Sequence, residues 1–436
     1  MTEGQFCWVG MFGWVRHTES CKVRPRMVAA RRCTTGVVHR WSDSGGPGLS
    51  PPNVSASPTS GPSGRVVKPV SLGCLAVNLS ARGYSVPCMP HYPPAARPLG
   101  PDADGQWVRR WTSPEWSQTA DAWVGCQLAE HGRRISGEPL TYRARFWSVV
   151  RCYPSTEGLV WFKENNPGHR FEAGLVAALA RLAPDDVIVP IAVDRERGCL
   201  LTDDQGTTLT HPDVGDQPTR CTVVRALARL QCAVLGHLEV AEHPGMVMLA
   251  PSAAGDRVRA IARELAALQP GHPLRPEPDV LKRAQLAADV LDRRTASLSN
   301  TVPLDLELND VYAANIFADR STGALRPRFF DFGNAIWGHP FVSLHGFLDS
   351  VVEWTGAPLP RAARDELFDV YLTVWRDHLD ADPRLLRSDL VAAEALAGVH
   401  RLVSWLRLVP HADPIETRTR AEIPRQYLAN VAALAS

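Results

Sequence analysis

Leu308-Asn309-Asp310-Val311-Tyr312-Ala313-Ala314-Asn315-Ile316-Phe317, followed after a short interval by Arg328-Phe329-Phe330-Asp331-Phe332-Gly333, is the stretch that decides the fold. Ile316-Phe317 and Arg328-Phe329-Phe330 are apolar or aromatic runs, which favour strands. Between them, Asp319-Arg320-Ser321-Thr322-Gly323 is a cluster of turn-forming residues. Gly323 lies midway between Asn315 and Asp331, so the spacing predicts an antiparallel hairpin with those two side chains opposite one another at its open end. An amide oxygen beside a carboxylate suits Mg²⁺, which takes oxygen ligands and keeps water or phosphate in its other positions. Asp310 is close enough in sequence to face the same site. A bland reading is a polar loop beside a buried strand. Order, spacing and hairpin context together favour a metal-assisted site.

Upstream the patterning is mixed. Pro114 to His131 reads as a helix with Ser113 as its N-cap. Arg145 to Tyr153 and Leu159 to Lys163 read as two strands joined by a turn at Pro154-Ser155-Thr156-Glu157-Gly158. Arg170 to Leu182 reads as an amphipathic helix, and Val187 to Val193 and Gly198 to Thr202 as two further strands. After about residue 205 the periodicity is helical, over 218–239, 254–268, 278–297, 341–354, 360–379, 387–407 and 419–434. Strands first and helices later predict an α+β protein with two lobes. The expected division is 1–105, an N-terminal extension; 106–204, a small lobe with a β-sheet; and 205–436, a larger, mainly helical lobe.

Lys163 ends the strand Leu159-Val160-Trp161-Phe162-Lys163 in a chain that holds only four lysines. Where arginine is the default cation, a lysine inside an apolar strand is less easily surface filler. Glu172 follows nine residues later on the predicted helix, a candidate partner for it. The competing readings are a snorkelling strand-end lysine and a solvated helix glutamate. His339 is expected to cap or pack, and Trp337, Trp354, Trp375 and Trp405 to fill cores. Asp203 and Asp204 are expected to face solvent or cap a turn.

Composition is that of a globular protein, with 45% apolar and 21% charged residues. The net charge of +1 conceals an asymmetry: residues 1–100 carry eleven Lys/Arg against three Asp/Glu, and the remainder 36 against 43. An acidic globular part argues against nucleic acid as its partner. No apolar run reaches the ~20 residues of a membrane-spanning helix. The ten cysteines show no C-x-x-C zinc spacing and fit reduced thiols in a cytoplasmic protein. The first 105 residues are rich in Pro, Gly, Ser, Arg and Cys. They read either as a disordered basic tail or as sequence ahead of a true start at Met89.

Asp310-x-x-x-x-Asn315 followed by Asp331-Phe332-Gly333 resembles the core of the protein-kinase-like superfamily, and most closely the aminoglycoside phosphotransferase family of small-molecule kinases. The resemblance covers about residues 110–410. Trp147-Ser148-Val149-Val150 through Lys163 is similar to the nucleotide-covering hairpin, Gly198 to Asp204 to the strand leading to the adenine hinge, and Asp331 to Ala335 with His339-Pro340-Phe341 to the metal loop and its following helix. It implies a two-lobed protein-kinase-like fold. It also implies ATP and Mg²⁺ as cofactors, and transfer of phosphate to a hydroxyl of a small molecule. Lys163 and Glu172 would then serve the nucleotide, Asn315 and Asp331 the metal, and Asp310 the acceptor hydroxyl. One departure stands out. Family members usually carry histidine two residues before the catalytic aspartate, where this chain has Leu308. The lost hydrogen bond is worth about 0.5–1.5 kcal/mol. That keeps open a catalytically impaired nucleotide-binding protein, and a metal-dependent hydrolase is a third reading that leaves Lys163 and Glu172 without a role. No Walker A sequence occurs.

Overall fold

The computed structural model describes residues 105–296, 298 and 302–435, with the short strands Phe6–Trp8 and Trp14–Arg16. The expectations for the rest of the N-terminal extension, a start at Met89 included, lie outside the described residues. From Gly105 the chain forms helices α1 (Gln106–Trp111) and α2 (Pro114–Glu130), and Ser113 does cap α2: its Oγ accepts from Trp116 N at 3.2 Å.

Five antiparallel strands follow: β1 (Leu140–Arg145), β2 (Ser148–Ser155), β3 (Gly158–Asn165), β4 (Pro190–Asp194) and β5 (Cys199–Asp203), in spatial order β1-β2-β3-β5-β4. Helix α3 (Phe171–Leu182) connects β3 to β4. Successive side chains on β3 face opposite ways. Val160 and Phe162 are buried beneath α2, with Phe162 5.6 Å from the ring of Trp123 and 6.2 Å from that of Trp116. Burial of each such side chain contributes about 1.5–3 kcal/mol. Glu164 faces this same layer and accepts from Trp116 Nε1 at 2.9 Å. Lys163, between them, therefore points the other way.

The sheet departs from expectation at β1. The stretch read as one strand from Arg145 contains a tight turn at Phe146-Trp147, so that β1 pairs back on β2 with Arg145 opposite Ser148. Neither turn residue is a turn former. Their conformation comes from burial: Trp147 packs edge-on against Phe146 (5.1 Å) and against Trp405 of the helical lobe (5.6 Å).

Beyond the sheet lie α4 (His211–Gly215), α5 (Gln217–Val234), α6 (Ala254–Ala266), α7 (Pro278–Thr295), α8 (Val342–Thr355), α9 (Arg361–Arg376), α10 (Pro383–Ala393), α11 (Ala397–Leu406), α12 (Pro414–Arg420) and α13 (Glu422–Ala432). The helix expected over 387–407 is broken by a 3₁₀ turn at Glu394–Leu396, which separates α10 from α11. No Gly or Pro marks that break. A three-stranded sheet, β6 (Val247–Met248), β10 (Ile336–Gly338) and β7 (Asp305–Glu307) in that order, and the hairpin of β8 (Ile316–Asp319) with β9 (Arg326–Phe329) are set among the helices. The fold is the α+β, two-lobed architecture expected. Among the described residues no helix is long and apolar enough to cross a membrane.

Candidate active site

The hairpin forms, but one residue out of the expected register. Ile316 pairs with Phe329 and Asp319 with Arg326, and Phe330 N donates to the Asn315 carbonyl at 3.1 Å. Asn315 is thus opposite Phe330, not Asp331. The turn explains the shift: Gly323, at φ +83°, donates to the Arg320 carbonyl at 2.9 Å, which centres the loop between Thr322 and Gly323. Released from the ladder, Asp331 adopts φ +67°, a left-handed conformation few non-glycine residues take.

Lys163 bridges both lobes. Its Nζ donates to Glu172 Oε1 and Oε2 at 2.9 and 2.7 Å and to Asp331 Oδ1 at 2.5 Å. Glu172 lies in the first turn of α3 and is 1% exposed, so it is not a solvated helix residue. It also accepts from Asn165 Nδ2 at 2.8 Å and from Phe332 N at 3.1 Å, and so ties together the sheet, the helix and the loop after the hairpin. Burial opposes the charge on Lys163, but Asp331 and Glu172 outweigh it and hold the ammonium above the usual lysine range. Burial pushes the Asp331 carboxyl upward, against the pull of Lys163 and helped by the negative charge of Glu172.

Asp310 is joined to a second group. Its Oδ1 accepts from Arg401 Nη1 at 2.8 Å; its Oδ2 accepts from Asn334 Nδ2 at 3.2 Å and Asn315 Nδ2 at 3.3 Å. Burial raises its pKa, opposed first by Arg401. Asn315 is 2% exposed and its Oδ1 has no hydrogen-bond partner. A buried amide oxygen left unmatched, on the residue opposite Phe330, which adjoins Asp331 in the chain, is an oxygen donor of the kind a hard cation takes. No group of three or more His, Cys, Asp or Glu side chains able to hold a metal occurs among the described residues. Phosphate and water would therefore have to complete such a coordination shell, as they do for Mg²⁺.

A cavity of about 100 Å³ adjoins Lys163, Glu172 and Asp331. Val150 and Leu200 line it from the sheet, and Phe317 and Phe330 line it from the hairpin, their rings stacked at 4.2 Å. A second pocket of about 420 Å³ lies in the helical lobe, lined by Asn309, Arg401, Asp349, Glu353 and Glu394 among others.

Sequence reasoning missed Arg401, Asn334, Asn165 and Arg407. Arg407 donates to the Ala335 carbonyl at 3.0 Å and to that of Gly333, holding the loop after Asp331 from behind. The available signal was an arginine at 401 amid the small residues Ala397, Gly398 and Ser404, a stripe that packs closely. His339 is fully buried, with Nδ1 accepting from Phe341 N at 3.3 Å. Trp337, Trp375 and Trp405 are buried, and Trp354 is partly so. Asp203 is half exposed and pairs with Arg133 at 2.7 Å.

No family model matches the chain, and no curated protein does. Solved structures similar to it include small-molecule kinases and phosphotransferases. An ethanolamine kinase of Plasmodium vivax is 11% identical with a TM-score of 0.46, over 66% of this chain and 78% of that one. A choline kinase from Streptococcus pneumoniae is 11% identical with a TM-score of 0.46, over 72% and 98%. An aminoglycoside phosphotransferase from Streptomyces rimosus is 16% identical with a TM-score of 0.34, over 62% and 96%.

Proposed function

We propose that this chain is an ATP- and Mg²⁺-dependent phosphotransferase acting on a hydroxyl group of a small molecule, such as an aminoglycoside-like compound, a sugar or an amino alcohol. The observation that carries this reading is the Lys163 ammonium held between Glu172 and Asp331 at the end of an apolar cavity. An apolar slot ending in a fixed cation suits a flat base followed by phosphates. Lys163 would contact the α and β phosphates, with Glu172 orienting it. Asp331 and Asn315 would hold Mg²⁺, which when bound neutralises charge on the phosphate oxygens. Asp310 would orient the acceptor hydroxyl and take up its proton, a contribution of roughly 10²–10⁴ in rate. The pocket beside Arg401 would receive the acceptor, and its carboxylates Asp349, Glu353 and Glu394 favour one that carries amines.

Support against the impaired reading comes from the loop itself. Leu308 is buried and keeps the packing at that position, and Asn309 and Asp310 beside it are held instead by side-chain bonds, Asn309 Nδ2 to the His400 carbonyl at 3.1 Å and Arg401 to Asp310 at 2.8 Å. The test is a screen of hydroxylated metabolites and antibiotics for an ATP- and Mg²⁺-dependent mass gain of one phosphate. Asp310→Ala should lower turnover of the acceptor so found by about 10²–10⁴. Unchanged turnover in that variant would sink the assignment. Nucleotide binding without transfer to any acceptor would favour the impaired protein instead.

A further inference from the structure

The loop from Glu307 to Asp310 is held by two consecutive residues of α11. His400 Nδ1 lies 3.2 Å from Glu307 Oε2, the His400 carbonyl accepts from Asn309 Nδ2 at 3.1 Å, and Arg401 reaches Asp310 Oδ1 at 2.8 Å. Both side chains of the first contact are fully buried, and Arg401 is 8% exposed. The guanidinium of Arg401 is itself oriented from another side: it lies 4.9 Å from the ring centroid of Tyr312, and its Nη2 donates to the Tyr312 hydroxyl at 3.1 Å. One oxygen of Asp310 is thus fixed by a charge-assisted bond, while the other meets two neutral amides at 3.2 and 3.3 Å.

Stability is a weak account of this pair. Desolvating an arginine and an aspartate costs several kcal/mol per ion, and buried ion pairs can often be replaced by apolar side chains without loss. Orientation is the better account. A carboxylate can rotate about its last bond, and a rigid planar donor on one oxygen stops that rotation. Leu308, the residue of the same loop nearest in sequence besides Asn309, offers no side-chain hydrogen bond.

We propose that Arg401 is the positioning residue of the transfer: from α11 it sets the angle of the Asp310 carboxylate toward the acceptor hydroxyl. This rests on the phosphotransferase reading above. Misplacement of a reacting group by about 1 Å costs roughly 10²-fold in rate.

The test compares wild type, Arg401→Gln, Arg401→Lys and Arg401→Ala in the full chain, with the acceptor found by the screen. Arg401→Gln should lower kcat by about 10²-fold while KM for ATP stays within about twofold, the pattern of a transition-state contact. Arg401→Lys should recover part of the loss, and added guanidinium should raise the rate of Arg401→Ala but not of wild type. Two results overturn the proposal: wild-type kcat in Arg401→Gln, or joint loss of kcat, ATP affinity and nucleotide-induced thermal shift with no recovery by lysine or guanidinium. A wild type that transfers no phosphate to any acceptor overturns the phosphotransferase reading first, and this assignment with it.

Discussion

Lys163→Met removes one ammonium and leaves the length of the side chain nearly unchanged. In the native site that ammonium meets Glu172 at 2.7 and 2.9 Å and Asp331 at 2.5 Å, with the three side chains 14%, 1% and 6% exposed. Taking one partner from a buried ion pair costs about 3–5 kcal/mol, because the remaining charge is left unmatched. Here two carboxylates are left. Part of the cost is relieved, since burial has already pushed the Asp331 carboxyl up to about 7 and proton uptake neutralises it. The expected loss is therefore near the lower limit, about 3 kcal/mol. At roughly 2–4 °C per kcal/mol for a chain this large, Tm should fall by about 6–12 °C. Turnover should fall by about 10²–10³, the usual effect of deleting one donor to developing negative charge. Thermal melts without ligand and phosphate transfer under saturating Mg²⁺ and ATP measure the two effects separately. A variant that melts with wild type and keeps its turnover would refute the reasoning: Lys163 would then be neither an interior counter-charge nor a phosphate ligand.

Trp147→Ala should cost about 3–5 kcal/mol in urea denaturation. This side chain is 1% exposed and pins the β1–β2 turn to Trp405, with the Arg420 guanidinium 5.4 Å from its ring; a loss below about 1 kcal/mol would show that the turn is not anchored there. Acidification should destabilise the fold through His339, whose pKa is lowered to about 3 by burial first and then by His400 and His345. The unfolded chain protonates this residue near 6.5 while the folded state keeps it neutral, so the unfolded state binds more protons below that pH. From pH 7.5 to 5.5 the residue should remove about 1.4 kcal/mol of stability, and His339→Gln should flatten the slope in urea melts at the two pH values.

Much of the small lobe was legible because its signals are local. The apolar run Leu159–Phe162 read as a strand ending in Lys163, and a glutamate in the first turn of the next helix fell within reach of that lysine. The hairpin after Asn315 was legible from its turn residues, but not its register, since Gly323 could serve either a centred loop or the one-residue shift observed. The break between α10 and α11 and the aromatic turn at Phe146-Trp147 carry no Gly or Pro, so composition was silent there.

The strands-then-helices order, the Lys163–Glu172 pairing and the hairpin after Asn315 were determined by the sequence alone, because apolar runs and turn chemistry act over a few residues. Tertiary structure alone decided what holds Asp310 in place, since Arg401 stands 91 residues away and only the packing of α11 behind the loop brings it there. It also decided the lobe contact at Trp147, where burial of two indole rings outweighs the conformational preference of the turn.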